Sequence, residues 1–177
     1  HSIYLVREKK GSAWKVLKLG GQLVLGLIIK KSFDWVKTPG QYTYMGLILV
    51  WACPFLLLLW SLAYQLLVRL PFSNTALPIA IPTLYLWAVD SLALQRGTWV
   101  ISSATKTGAY LPVFGLEAEE AVFFFLTNCL IVFGLVAFDN AVAVLNTFPA
   151  HFPKVPELPS PALQVRALLI PAAAYDD

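Results

Sequence analysis

The sequence predicts an all-α polytopic membrane bundle of about four transmembrane helices, and three observations carry that reading. Of its 177 residues, 58% are hydrophobic and only 13% charged, against roughly a quarter charged in an ordinary soluble domain. The apolar residues gather into runs near or beyond the ~20 that a helix needs to cross hydrocarbon. Many of the 7 Tyr and 6 Trp stand near the ends of those runs, where membrane interfaces collect amphipathic rings.

The first run, about Trp14 to Ile29, is short and lies between Lys9-Lys10 and Lys30-Lys31. It spans the bilayer or rests on its surface, with Lys15 and Lys18 snorkelling outward. The second, about Tyr42 to Val68, is interrupted strongly only by Gln65 and is long enough to tilt. Pro54 in its middle predicts a kink, because the ring removes a backbone donor and crowds the preceding turn. The third runs from about Ala76 to Leu94, with Pro78 and Pro82 near its start and Asp90 inside it. The fourth, about Ala118 to Leu145, opens on Glu119 and Glu120 and carries Asp139-Asn140 near its tail, at the exit from the membrane. Residues 69–75 read as a tight connection and 95–117 as a longer loop.

Three regions follow: a basic N-terminal segment (1–13), a membrane region (14–147) and a proline-rich linker (148–177). The linker holds Pro149, Pro153, Pro156, Pro159 and Pro161, a density that favours an extended spacer. It reads as leading to a C-terminal domain missing from this chain, which starts with His and so reads as a fragment.

Charge and cysteine usage narrow the function classes. Arg7, Lys9, Lys10, Lys15, Lys18, Arg69, Lys154 and Arg166 fall on the side of the N-terminus, against Lys30, Lys31, Lys37, Arg96 and Lys106 opposite. This bias predicts an integral, multi-pass protein with both termini cytoplasmic. The net charge of +3 comes mostly from residues flanking apolar runs, a topology signal rather than the basic face that nucleic acid requires. Cys53 and Cys129 lie inside apolar runs at no zinc or redox spacing, and the 2 His fall outside them, so no metal site is expected.

The chemistry gathers on one side. Carboxylates are expensive within a membrane and mark functional sites there. If the third and fourth helices are antiparallel neighbours, Asp90 lies within about one turn of depth of Glu119 and Glu120. Two carboxylates held close in low dielectric do not both ionise easily, so one would keep its proton and the pair would act as acid and base. A carboxylic acid alone is far too weak to protonate an alkene. Ring faces at Trp87, Trp99, Phe123, Phe124 and Tyr85 would have to stabilise the resulting cation. Asp139, 19 residues beyond Glu120, belongs to the other membrane face. Each signal has a plainer reading: Glu119 and Glu120 as partners of the helix dipole, Asp90 as a packing acid, the phenylalanines as lipid-facing, and Gly97 as a turn.

The order Asp90, Gly97-Thr98-Trp99, Thr105-Lys106-Thr107-Gly108 and Glu119-Glu120-Ala121-Val122-Phe123-Phe124 resembles the lycopene cyclase domain of fungal bifunctional lycopene cyclase/phytoene synthases. That domain is in turn similar to the paired small cyclase subunits of some bacteria and archaea. The likeness covers most of residues 40–145. In that family two homologous three-helix halves form the cyclase, each with a Pro-x-Glu-Glu-x-x-Phe-Phe type motif. This chain resembles the second half preceded by one helix, and Glu117 stands at the motif's proline position.

The resemblance implies a redox-neutral isomerase that closes the ends of lycopene through γ-carotene to β-carotene, with no cofactor. It implies Glu119 or Glu120 as proton donor and Asp90 as its electrostatic partner or proton acceptor. The partners it implies are lycopene and γ-carotene as lipophilic substrates, the lipid bilayer, a homologous first-half cyclase domain and a C-terminal phytoene synthase domain. The chain has no Gly-x-Gly-x-x-Gly fingerprint of the flavin-dependent cyclases. An alternative is a non-catalytic membrane scaffold within a carotenoid-synthesising complex. A small transporter ranks third, because it needs polar residues at mid-depth on several helices.

Overall fold

The structure is a computed structural model that describes residues 11–98 and 103–147, together with Ser160 and Ala162. The predicted linker and most of the basic N-terminal segment lie outside the described residues. Within them are α1 (Ser12–Lys37), α2 (Thr43–Arg69), α3 (Phe72–Gln95) and α4 (Ala118–Thr147), all four long and apolar enough to cross a membrane. The only other elements among the described residues are a single turn at Ser103–Thr105 and a small hairpin, β1 (Tyr110–Leu111) antiparallel to β2 (Leu116–Glu117).

The first helix is longer than its apolar run. It continues past Lys30-Lys31 to Lys37 because those lysines sit on its outer face, exposed, while Ser32 is buried behind them. The Ser32 hydroxyl donates to Ile28 O at 2.7 Å and needs no solvent. The 69–75 connection is tighter than expected, since only Leu70 and Pro71 separate α2 from α3.

Pro54 stands inside α2, and the backbone also leaves helical geometry at a point that the sequence did not single out, Ala63 (φ −129°, ψ 15°). Around that point the helix is tied to α1 by side chains: Trp60 Nε1 donates to Lys18 O at 3.1 Å and Gln22 Nε2 to Ser61 Oγ at 2.9 Å. These ties to α1 stand beside the break in α2, nine residues beyond Pro54.

Helix α3 stops by a glycine device. Gly97 has φ 68°, and the bonds Gly97 N–H to Leu94 O (3.0 Å) and Thr98 N–H to Ala93 O (3.1 Å) close the last turn. This is the paired pattern that a left-handed residue permits. Gly97 is therefore a helix stop, the turn reading considered above.

Packing orders the helices. Helix α1 packs on α2, and α4 packs on both α2 and α3. Ile79 of α3 with Cys129 and Val132 of α4 forms a buried core, flanked by Leu56 of α2 and by Phe133 and Val136. Deeper polarity than the sequence suggested appears along the α3–α4 seam, where buried Asn128 Nδ2 donates to Thr83 Oγ1 at 3.0 Å. Ten residues into α4, this pair lies roughly 15 Å from the helix start, near half the depth of a hydrocarbon core.

Candidate active site

The start of α2, the end of α3 and the start of α4 meet at one end of the bundle. Helix α4 runs antiparallel to α3 and parallel to α2, as their contacts establish. From that end inward, Trp87 Nε1 of α3 donates to Ala121 O of α4 at 3.1 Å, then Asn128 meets Thr83, then Cys129 meets Ile79. Along α2, Tyr44 meets Glu120 before Trp51 meets Phe123.

Three acids are buried there: Glu119 at 0% exposure, Asp90 at 2% and Glu120 at 6%. Their partners differ. Glu119 Oε1 accepts the Thr107 backbone N–H at 2.6 Å, while its Oε2 is buried without a hydrogen-bond partner among the described residues. Glu120 Oε1 accepts the Tyr44 hydroxyl at 2.9 Å. Both Asp90 oxygens are buried without a hydrogen bond among the described residues. Asp90 and Glu117 lie near enough for their charges to act on Glu120 and on Tyr44.

A fourth acid joins them. Glu117 ends β2 and pairs with Lys106 at 2.5 Å, both side chains nearly buried. Lys106 is the one ammonium that the described ion pairs bring to this end, against four carboxyls. The loop from 103 to 117 folds over the acids. It is held by the Lys106–Glu117 pair, by the Thr107 N–H, by Ala118 N–H to Ala109 O at 2.9 Å, and by the Ser91 hydroxyl donating to Phe114 O. Gly108 (φ 75°) and Gly115 (φ 61°) supply the left-handed turns that this path requires.

Aromatic rings continue the site inward. Phe123 contacts Phe124 edge-on at 5.5 Å and Trp51 of α2 at 5.7 Å, and Trp87 meets Phe114 edge-on at 5.6 Å. Phe123 and Phe124 follow Glu120 by three and four residues, so they lie one turn below its carboxyl on the same helix face.

Of the residues picked out in the sequence, the structure brings Asp90, Glu119, Glu120, Trp87, Phe123 and Phe124 to one end of the bundle. Tyr85 does not join them. It is 67% exposed, five residues before Asp90 and so roughly 140° around the helix from it. Trp99 lies outside the described residues. Asp139 is exposed near the far end of α4.

Sequence reasoning missed Tyr44, Trp51, Lys106 and Phe114 as site members, and took Glu117 only as a departure from a motif. Tyr44 and Trp51 stand seven residues apart on an α2 that is apolar all round, so nothing singled out their face. The 7-residue spacing, which keeps two side chains on one face, was the one available signal.

No family model matches the chain, and no solved structure does. Curated proteins do match. The chain is 54% identical over 177 residues to a protein of Gibberella fujikuroi named "Bifunctional lycopene cyclase/phytoene synthase", an alignment covering 100% of this chain and 30% of that protein. Proteins of the same name match from Leptosphaeria maculans, 57% identical over 171 residues (97% of this chain, 29% of theirs), and from Neurospora crassa, 45% identical over 178 residues (99% and 29%). Along its whole length, then, this chain is homologous to a single segment, under a third of the length, of the proteins named bifunctional lycopene cyclase/phytoene synthase.

Proposed function

We propose that this segment carries a proton-transfer site of a lycopene cyclase in carotenoid biosynthesis, an isomerase that converts linear ends of lycopene into β-rings by way of γ-carotene. The observation behind it is the cluster of buried Asp90, Glu119 and Glu120 with nearly buried Glu117, to which the described ion pairs bring one lysine, Lys106, with contacting aromatic rings one turn below Glu120. Four carboxylates and one ammonium in low dielectric do not all stay ionised, so the site holds at least one proton.

In this reading Glu120, the acid directly above the aromatic rings, is the donor: its carboxyl O–H breaks as the π pair of the terminal double bond forms a C–H bond, leaving a tertiary cation. A second double bond supplies the pair for the ring C–C bond and passes the positive charge along. Loss of a neighbouring proton to a carboxylate, with Asp90 as the candidate acceptor, restores an alkene. Atoms balance and no electrons leave, so the reaction needs no redox partner. The faces of Phe123, Phe124, Trp51 and Trp87 would stabilise the passing cation, and a dry wall keeps water from quenching it.

The relatives' shared name, which couples a lycopene cyclase to a phytoene synthase, supports a phytoene synthase domain as partner; that it follows this segment, and that lycopene reaches the site from the bilayer, are parts of the same proposal. We also propose a homologous first cyclase half as partner, and both termini on the cytoplasmic side, from the distribution of Lys and Arg.

The test is pigment analysis of lycopene-producing cells expressing the full-length protein, and this segment with and without its missing half. β-Carotene from the full-length protein, and lycopene alone from Glu120→Gln at equal protein level, is the expected result. Near-wild-type β-carotene from Glu120→Gln removes the acid assignment. Absence of cyclic product from the unaltered full-length protein removes the enzyme reading and leaves the scaffold.

A further inference from the structure

We propose that Tyr44, on α2, is a positioning residue for Glu120, fixing which carboxyl oxygen delivers the proton and stabilising the charge left behind. This inference rests on the cyclase reading above and adds a residue from a helix to which that reading assigned no acid–base role.

The four carboxyls of the site are held in four ways. Glu117 is clamped by Lys106, and Glu119 is tied to the backbone of Thr107. Asp90 has no hydrogen-bonding partner among the described residues. Glu120 alone is held by a neutral side-chain hydroxyl from a different membrane-length helix, at 2.9 Å. The first two contacts belong to the loop covering the site, whereas the Tyr44 contact belongs to the bundle itself. It is therefore fixed by helix packing.

The direction of the bond matters. The hydroxyl donates to Oε1, so a proton carried by the Glu120 carboxyl resides on Oε2. When that proton leaves, the new negative charge is shared with an oxygen that already has a donor. Hydrogen bonds to ionised acceptors are about twice as strong as neutral ones. The Tyr44 bond thus strengthens as the proton departs, which is the condition for lowering a barrier rather than merely binding the ground state.

Placement on α2 agrees. Trp51 lies seven residues further on, hence on nearly the same face, and its ring reaches Phe123 at 5.7 Å. One face of α2 therefore orients the acid with its first residue and meets the aromatic rings beneath the acid with its second. Gly46 lets α2 approach α1 at the same level: a Cβ there would fall 3.0 Å from Trp35 Cβ and 3.1 Å from Ser32 O.

The experiment compares the full-length protein with Tyr44→Phe in lycopene-loaded liposomes. Tyr64→Phe serves as control, since Tyr64 is buried near the other end of α2 and its hydroxyl bonds only Gln65 among the described partners. Expected for Tyr44→Phe is a kcat about 10- to 100-fold lower, the worth of one hydrogen bond to a charged group. KM should be unchanged and the solvent deuterium isotope effect larger, because proton delivery then limits turnover more fully. Equal kcat and isotope effect in Tyr44→Phe and the unaltered protein overturn the proposal while leaving the cyclase reading standing. A raised KM with unchanged isotope effect shows a packing role and overturns it too. If Tyr44→Phe fails to accumulate, Tyr44→His, which keeps a ring donor, must retain more activity than Tyr44→Leu; equal activities overturn the proposal. Absence of turnover in the unaltered protein is the separate failure of the cyclase reading.

Discussion

Glu119 and Glu120 are neighbours in the chain but point roughly 100° apart on their helix, and that angle separates their work. Glu119 turns to the covering loop and takes the Thr107 N–H, whereas Glu120 turns to α2 and takes the Tyr44 hydroxyl. A glutamine at 119 keeps a carbonyl oxygen for the Thr107 donor, and an alanine does not. Glu119→Ala should therefore destabilise the loop by about 1–3 kcal/mol, the cost of a buried donor left unmade. Glu119→Gln should cost the loop little. Limited proteolysis between residues 103 and 117 reads the difference, and equal cleavage of the two variants would contradict the assignment. That acids and rings meet at one end was legible from the spacing of Asp90 and Glu119 across an antiparallel pair. Which glutamate faces which neighbour was not, because that depends on α2 lying parallel beside α4. Tyr85 shows the same limit: proximity in sequence to Asp90 says nothing until the helix face is counted.

At the scale of elements, the α1–α2 hairpin depends on close approaches at Gly46, noted above, and at Gly21, neither of which composition flagged. A Cβ on Gly21 would fall 2.3 Å from Trp60 Nε1 and 2.5 Å from Trp60 Cε2, inside van der Waals contact with a stiff ring. Gly21→Ala must therefore displace the indole and break its bond to Lys18 O, which stands at 3.1 Å. Overpacking of this kind costs about 1–3 kcal/mol, and we expect a measurably lower melting midpoint in detergent. Gly20→Ala is the control, because a Cβ there meets nothing within 4 Å; equal melting midpoints would mean that α1 does not dock on α2 this way. Helix existence was legible from apolar length alone, and the ends of α2, α3 and α4 fell within a few residues of expectation. The end of α1 was missed because Lys30-Lys31 looked like a membrane border, yet lysines on an outer face leave the helix free to continue. The break in α2 at Ala63 was not foreseen. Pro54 is a local signal, whereas the departure at Ala63 accompanies contacts with another helix.

At the scale of the whole molecule, a nearly buried ion pair ties the covering loop at the acid end. Lys106 and Glu117 come from the two sides of the hairpin, 11 residues apart, and meet at 2.5 Å with side chains only 8% and 13% exposed. Removing one partner from such a pair strands a charge. Lys106→Met should then destabilise the protein by about 3–5 kcal/mol, since the remaining carboxylate is left without its ammonium. Removing both is different. Lys106→Met with Glu117→Leu leaves apolar side chains of similar size and should recover most of that loss. Melting midpoints of the single and double variants form the cycle, and a double variant as unstable as the worse single one would show that the pair does not act as a unit. The same cycle separates stability from chemistry. Lys106 also lies near enough for its charge to act on Glu120, so the double variant changes the charge balance around the proposed acid even when the fold is restored. A double variant that melts like the unaltered protein yet cyclises more slowly would locate the influence of the Lys106–Glu117 pair in the proton transfer, whereas full recovery of both would confine the pair to holding the loop.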